Sequence, residues 1–113
     1  MARPNQDLDI TRNLRTLEWL KAELIEGVSF FFKALIKHNQ QAIAKALAAI
    51  MLTCYFLARR LGISYTELDL TVEEQLRAHL ETEHQLEVWY GDISACLKHV
   101  QGKNQALKKP QPQ

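Results

Sequence analysis

The run Ala46-Leu-Ala-Ala-Ile-Met-Leu-Thr-Cys-Tyr-Phe-Leu-Ala58 is the longest apolar stretch of the chain, and it decides the fold class. It is interrupted only by Thr53 and is shorter than the roughly 20 residues that a membrane span needs. It therefore predicts a helix buried in a soluble protein. Apolar side chains point to nearly every side of this helix, and a helix of that kind has to be covered on both sides. The run thus predicts a bundle that a second chain completes.

Helical periodicity continues on both sides of this run. We expect one helix from Asp7 or Asp9 to about His38, a turn at Asn39, and a second helix from about Gln41 to Leu61. Apolar residues in the first helix are spaced by threes and fours: Ile10, Leu14, Leu17, Leu20, Leu24, Val28, Phe31 and Leu35. The corresponding stripe of the second helix is Ile43, Leu47, Ile50, Met51, Cys54, Leu57 and Leu61.

The second half of the chain also carries helix signals. Thr71 and Glu74 form the Thr-x-x-Glu pattern of a capping box, which predicts the start of a third helix that continues to about Val100. Gly91 predicts a kink or a break near Asp92. Strand signals are weak throughout. The predicted fold class is therefore all-α: a helical bundle built from long antiparallel helices and completed by oligomerisation.

Length and composition indicate one small folded domain in a chain of 113 residues. We expect a flexible N-terminus over residues 1–7, the helical domain over 8–101, and a disordered tail over 102–113, where lysine, proline and glutamine dominate. A net charge of +1 predicts neither specific nucleic-acid binding nor attraction to a membrane. Because the N-terminus has no apolar signal region, the expected location is cytoplasmic. Cys54 and Cys96 are expected to be buried thiols, with a disulfide left open.

One face of the first helix carries acidic and aromatic residues where the apolar stripe does not need them. Trp19, Glu23, Glu26 and Phe30 follow one another at helical spacing, opposite the predicted core. Two carboxylates at i and i+3 can share one hard cation, and an aromatic ring beside them can stack a nucleobase. The alternative is a solvated charged face. We take Glu23 and Glu26 as candidate metal ligands and Trp19 as a candidate substrate-binding residue.

Two features together resemble the all-α nucleotide pyrophosphohydrolases of the MazG superfamily. They are Glu23-x-x-Glu26 on one long helix and Leu57-Ala-Arg-Arg-Leu-Gly-Ile63 at the end of the next. Over about residues 8–100 the chain is similar to a small MazG-like family. That similarity is carried by Leu8-Asp-Ile-Thr-Arg-Asn13, Glu18-Trp-Leu-Lys-Ala-Glu-Leu24, Arg59-Arg-Leu-Gly-Ile-Ser64 and Glu87-Val-Trp-Tyr-Gly-Asp92.

The resemblance implies a chemistry and also a defect in it. Active members of the superfamily hold Mg²⁺ with four carboxylates, from Glu-x-x-Glu and from Glu-x-x-Asp on the next helix. They cleave a nucleoside triphosphate between its α and β phosphates. Glu23 and Glu26 match the first pair, whereas the second pair falls on Ala46 and Ala49, which cannot bind a metal. Mg²⁺ is therefore the expected cofactor if the protein is active, and no cofactor is expected otherwise.

Three functions follow for comparison. The first is a catalytically reduced or inactive MazG-like protein, acting as a homodimeric or homotetrameric scaffold or as a nucleotide-sensing module, with no catalytic residue assigned. The second is an active Mg²⁺-dependent nucleoside triphosphate pyrophosphohydrolase whose missing ligands come from Glu83, Glu87 or Asp92, or from a partner subunit. The third is a protein that binds a partner helix on the stripe of Trp19 and Phe30.

Overall fold

The structure is a computed structural model that describes the backbone of residues 4–82 and 84–108 and the side chains of residues 8–82 and 84–105. Every regular element in those ranges is a helix, which confirms the all-α class. The five helices are α1 (Pro4–Lys37), α2 (Gln40–Arg60), α3 (Tyr65–Glu81), α4 (Gln85–Tyr90) and α5 (Asp92–Lys108). They form two compact units, one containing α1 and α2 and the other containing α3, α4 and α5.

The first unit is a hairpin of two long helices joined by a two-residue turn. His38 adopts a left-handed conformation (φ 54°) that stops α1. Asn39 then caps α2, because its Oδ1 accepts a hydrogen bond from the backbone N–H of Ala42 at 3.2 Å. At the far end, Asn13 Nδ2 donates to the carbonyl oxygen of Arg60 at 3.5 Å. The start of α1 therefore lies beside the end of α2, and the two helices are antiparallel.

Small residues form the line along which α1 and α2 pack, which we call the seam. Besides Leu20, the buried residues of this unit are Gly27, Ala34, Ala46 and Ala58. A Cβ atom on Gly27 would lie 3.1 Å from Cγ1 of Ile50, so a larger residue here would require the Ile50 side chain to shift by a few tenths of an ångström. The seam thus consists of small residues together with Leu20, the most deeply buried side chain among the described residues.

This seam differs from the predicted core stripes. On α1, Leu20 is buried and Leu17, Leu24 and Phe31 are half-buried, but Ile10, Leu14, Val28 and Leu35 are exposed. On α2, Ile43, Ile50 and Leu57 are half-buried, but Leu47, Met51, Cys54 and Leu61 are exposed. The sequence stripe marks the most apolar face, whereas two helices approach most closely where their side chains are smallest. The hairpin packs on its small face and leaves much of its most apolar face uncovered.

The composition of α2 also bears on whether this helix could cross a membrane. It is the one helix in the described ranges that is long and apolar enough to cross a membrane by length and composition, with a mean hydropathy of 1.6. That is weak support for a span, because the core helix of a soluble protein has the same composition. Only 11% of its most apolar 18-residue segment is buried within the chain.

The second unit has a compact apolar core. Leu76 of α3 packs with Ile93 and Leu97 of α5, and Leu80 and Val100 lie against this cluster. A polar contact lies farther along the same pair of helices: the side chain of Asn104, which is nearly buried, donates from Nδ2 to Oε1 of Glu73 at 3.2 Å. Glu73 also pairs with Arg77 one turn later, at 3.3 Å. The Glu73 carboxylate thus links α5 to α3 and also forms an ion pair with Arg77 on its own helix.

The predicted start of the third helix at Thr71 is wrong. The helix begins at Tyr65, and Thr71 lies inside it, where its hydroxyl donates to the carbonyl oxygen of Glu67 at 2.8 Å. Glu67 lies three residues after Ser64, so a second pattern with capping-box spacing stands just upstream. Two equivalent start signals therefore occur in this segment, and the structure uses the earlier one.

The third predicted helix, which was expected to continue to about Val100 with a kink or a break near Asp92, consists of three helices in the structure. The break at Gly91 is confirmed, because Gly91 takes a left-handed conformation (φ 70°) that ends α4, and α5 begins at Asp92. An additional break follows Glu81, and His84 caps α4 by accepting the backbone N–H of Leu86 on Nδ1 at 3.1 Å.

The structure differs from the sequence predictions at the two cysteines and at the C-terminal residues. Cys54 and Cys96 are free thiols and both are exposed, so the prediction that they are buried is wrong. Helix α5 runs to Lys108, so residues 102–108 of the expected disordered tail are helical, and residues 109–113 lie outside the described residues.

Two glycines should respond to alanine in opposite ways. Gly62 has φ +88° with nothing within 4 Å of an added Cβ, so the strain of Gly62→Ala is conformational and not steric. We expect this change to lower the free energy of unfolding by about 1 kcal/mol. Gly102→Ala, inside α5, should raise it by about 1 kcal/mol because alanine is the better helix former. Urea unfolding followed by circular dichroism measures both, and a stabilised Gly62→Ala variant would contradict the left-handed turn.

Candidate functional site

The two candidate metal ligands lie on one face of α1, one turn apart. Glu23 is half-buried at the edge of the seam, whereas Glu26 is exposed. The prediction that Glu23 lies opposite the packed face is therefore wrong: because the seam follows Gly27 and Ala34, the buried face is rotated towards Glu23. Trp19 is 60% exposed on the same helix, so its ring is accessible for stacking.

A cleft of about 390 Å³ opens between α1 and α2. Its α1 wall includes Gly27 and Phe30, and its α2 wall includes Ala46 and Ala49. The structure thus brings Phe30 together with the two alanines that the sequence placed at the second acidic pair. Trp19, Glu23 and Glu26 do not line it.

Three lysines also line the cleft, and none of them was predicted as a site residue. Lys33 and Lys37 come from α1 and Lys45 comes from α2. The Nζ atom of Lys33 lies 5.8 Å from the centroid of the Phe30 ring, a cation–π distance. A signal was present, because Phe30, Lys33 and Lys37 follow at spacings of three and four on one helical face. We call this feature, with its alanine floor and lysine rim, the lysine cleft.

The donor set does not fit the four-carboxylate magnesium site that the resemblance implied. Across the described residues, no three or more histidine, cysteine, aspartate or glutamate side chains come together as a possible metal site. The alanine methyl groups in the α2 wall offer no oxygen. Mg²⁺ prefers six oxygen ligands in near-octahedral geometry, of which Glu23 and Glu26 could supply only a part.

The replacement ligands proposed from the sequence lie in the second unit. Oε1 of Glu87 accepts hydrogen bonds from the backbone N–H of Ser94 at 2.8 Å and from its hydroxyl at 3.1 Å. Glu87 therefore caps the first turn of α5 from α4, which is a structural role. Asp92 is exposed in that first turn, and the side chain of Glu83 lies outside the described residues.

These hydrogen bonds make the stability of the second unit depend on pH. The backbone N–H of Ser94 contributes most and its hydroxyl next, and together they hold the pKa of Glu87 below its ordinary value of 4.5. A carboxyl group whose pKa is lowered by folding stabilises the protein above its unfolded pKa. That contribution is lost as the pH falls through the folded value.

Glu87→Gln should therefore weaken the link between α4 and α5 at pH 7 more than at pH 3. Urea unfolding at the two pH values measures the difference. Glu74→Gln is the matched control, because Glu74 is an exposed carboxylate on α3. We expect the difference between wild type and Glu87→Gln to shrink in acid, while Glu74→Gln stays close to wild type at both values. An equal loss at pH 7 and pH 3 would contradict the capping role.

Comparison with known proteins identifies the class. The model of the MazG-like family matches residues 10–93, which is most of the chain, and the all-α fold agrees with this match. The chain therefore belongs to the MazG-like family. No curated protein and no solved structure matches it.

Proposed function

We propose that this protein is a catalytically reduced MazG-like module that works as a homo-oligomer and does not hydrolyse nucleoside triphosphates. One observation carries the proposal: Ala46 and Ala49 line the α2 wall of the cleft, where the resemblance requires carboxylates. Their methyl groups remove half of the expected oxygen donors.

The energetic consequence for a divalent cation is large. At an effective dielectric constant near 20, two unit charges 4 Å apart interact by about 4 kcal/mol, and a divalent ion doubles the term. Desolvation offsets part of it, but losing two carboxylates still lowers the expected Mg²⁺ affinity by several powers of ten. Glu23 and Glu26 alone resemble an ordinary surface pair of carboxylates.

The charges on the cleft add to this argument. Lys33, Lys37 and Lys45 line the same cleft, and no carboxylate belongs to its lining. Three ammonium groups raise the free energy of a cation placed there. The cleft therefore favours an anion over a metal ion, which supports a binding or scaffold role over metal-dependent hydrolysis.

The catalytic part of the proposal is tested by measuring pyrophosphate. Purified protein with Mg²⁺ and each common nucleoside triphosphate should release no pyrophosphate above a protein-free blank. The control is Glu26→Gln, because a contaminating enzyme would give the same signal with the variant. Release by the wild type that disappears in Glu26→Gln would contradict the proposal and favour the active pyrophosphohydrolase.

Nucleotide sensing is the second branch of the proposal, and Trp19 supports it because its ring is exposed on the face that carries Glu23 and Glu26. A base stacked on this ring would quench its fluorescence. Trp89→Phe removes the other tryptophan, so that the signal reports on Trp19 alone. Quenching that saturates with a nucleotide would support nucleotide sensing. Unchanged emission would contradict sensing through Trp19 and favour the scaffold role.

The homo-oligomer is supported by what the hairpin leaves uncovered. No large side chain in the described ranges is fully buried. Large apolar side chains are more than half exposed on both helices: Ile25, Phe32 and Ile36 on α1, and Met51 and Leu52 on α2. Exposed apolar surface on this scale is typical of a protein interface. A second copy offers the same apolar helices, as a two-fold interface requires.

Phe32→Glu should therefore shift the protein towards the monomer. Phe32 is 58% exposed in the single chain, so the change costs little in the isolated hairpin but places a charge in the proposed interface. Light scattering coupled to size exclusion measures the mass. Gln75→Glu, exposed on α3 and outside this patch, introduces the same charge as a control and should leave the assembly intact. A monomeric wild type at micromolar concentration would contradict the proposal.

A further inference from the structure

The lysine cleft has a floor that cannot form hydrogen bonds through its side chains. Gly27 and Phe30 on α1 and Ala42, Ala46 and Ala49 on α2 present only hydrocarbon or a bare backbone, and Ala34 completes this surface. Nucleobases are recognised through hydrogen bonds to their polar edges, so this floor offers them no specific contact. It suits the apolar part of a ligand.

The rim of the cleft has the opposite character. Lys33, Lys37 and Lys45 are exposed, and each can reach an anionic group at the mouth of the cleft through a flexible chain. The ion pairs recorded among the described residues, Lys21 with Glu18 and Arg77 with Glu73, do not involve them. Lys33 also contacts the Phe30 ring, but no ion pair among the described residues neutralises the three charges, so they can act on a ligand.

Because the floor is apolar and the rim is basic, we propose that the lysine cleft binds an amphiphilic anion. Its hydrocarbon chain would lie on the alanine floor, and its carboxylate or phosphate head group would lie among the three lysines. The cleft volume of about 390 Å³ lies within the range of small-molecule sites. The proposal does not depend on whether the protein hydrolyses nucleotides, because neither Glu23 nor Glu26 takes part.

Two sources share this chemistry, a free long-chain acid and the head group of an anionic lipid in a membrane. Isothermal titration with dodecanoate below its micelle concentration tests the free acid. Dodecanol removes the charge and acetate removes the chain. We expect dodecanoate to bind at one molecule per chain, at least tenfold more tightly than either comparison compound. Equal binding of dodecanol would overturn the proposal, because it would indicate a purely apolar surface.

Matched charge variants locate the site. Lys33→Gln with Lys45→Gln removes one lysine from each wall, and Lys21→Gln with Lys98→Gln removes the same charge elsewhere. We expect the first pair to weaken dodecanoate binding at least tenfold and the second to change it less than twofold. Equal effects of the two pairs would overturn the proposal.

A variant that keeps every charge tests the floor. Ala49 is exposed at the cleft surface, so Ala49→Phe can fill the cleft without entering the buried seam. With an unchanged circular dichroism spectrum it should weaken dodecanoate binding at least tenfold, and unchanged affinity would overturn the proposal.

Vesicles distinguish the two sources. Sedimentation with phosphatidylglycerol vesicles, but not with phosphatidylcholine vesicles, together with dodecanoate binding, supports the cleft as a receptor for lipid head groups. Dodecanoate binding without sedimentation supports a free acid. Sedimentation without dodecanoate binding overturns the proposal, since the contact would then be a general surface attraction.

Discussion

The approach of α1 to α2 at Gly27 is the constraint on which the rest of the first unit depends. A Cβ atom at this position would lie 3.1 Å from Cγ1 of Ile50, so the close approach here favours glycine over a residue with a side chain. Glycine within a helix costs roughly 0.5–1 kcal/mol relative to alanine. The small residues Ala34, Ala46 and Ala58 extend the same close contact along the hairpin. Together they fix which face of each helix is turned inward.

That orientation has consequences on both sides of the hairpin. Because the small face is turned inward, large residues such as Ile25 and Phe32 are turned outward, and the hairpin cannot cover them by itself. On the cleft side, Phe30 comes opposite Ala46 and Ala49, with lysines from both helices around them. Under the proposed function, the place of the second acidic pair thus falls on a surface whose lysines favour an anion over a cation.

The second unit shows how local signals compete. Ser64 and Thr71 each precede a glutamate by three residues, and sequence spacing ranks them equally. The earlier position is used, which leaves the Thr71 hydroxyl to bond to the backbone within α3. Gly91 ended a helix as predicted because a left-handed residue is a local requirement that glycine meets most easily. The role of Glu87 as a cap for α5 involved a residue on another helix, and nothing in its local sequence indicated it.

The amino-acid sequence by itself determined the all-α class, the α1–α2 hairpin, the break at Gly91 and the family, because periodicity, turn residues and ordered motifs are local properties of the chain. It also exposed the mismatch at Ala46 and Ala49, since a residue type can be read without coordinates. Tertiary structure alone decided which helical face is packed, where the cleft opens, and that Lys45 joins Lys33 and Lys37 around it. The physical reason is that hydropathy reports how strongly a face avoids water, whereas close packing depends on how near two backbones can approach.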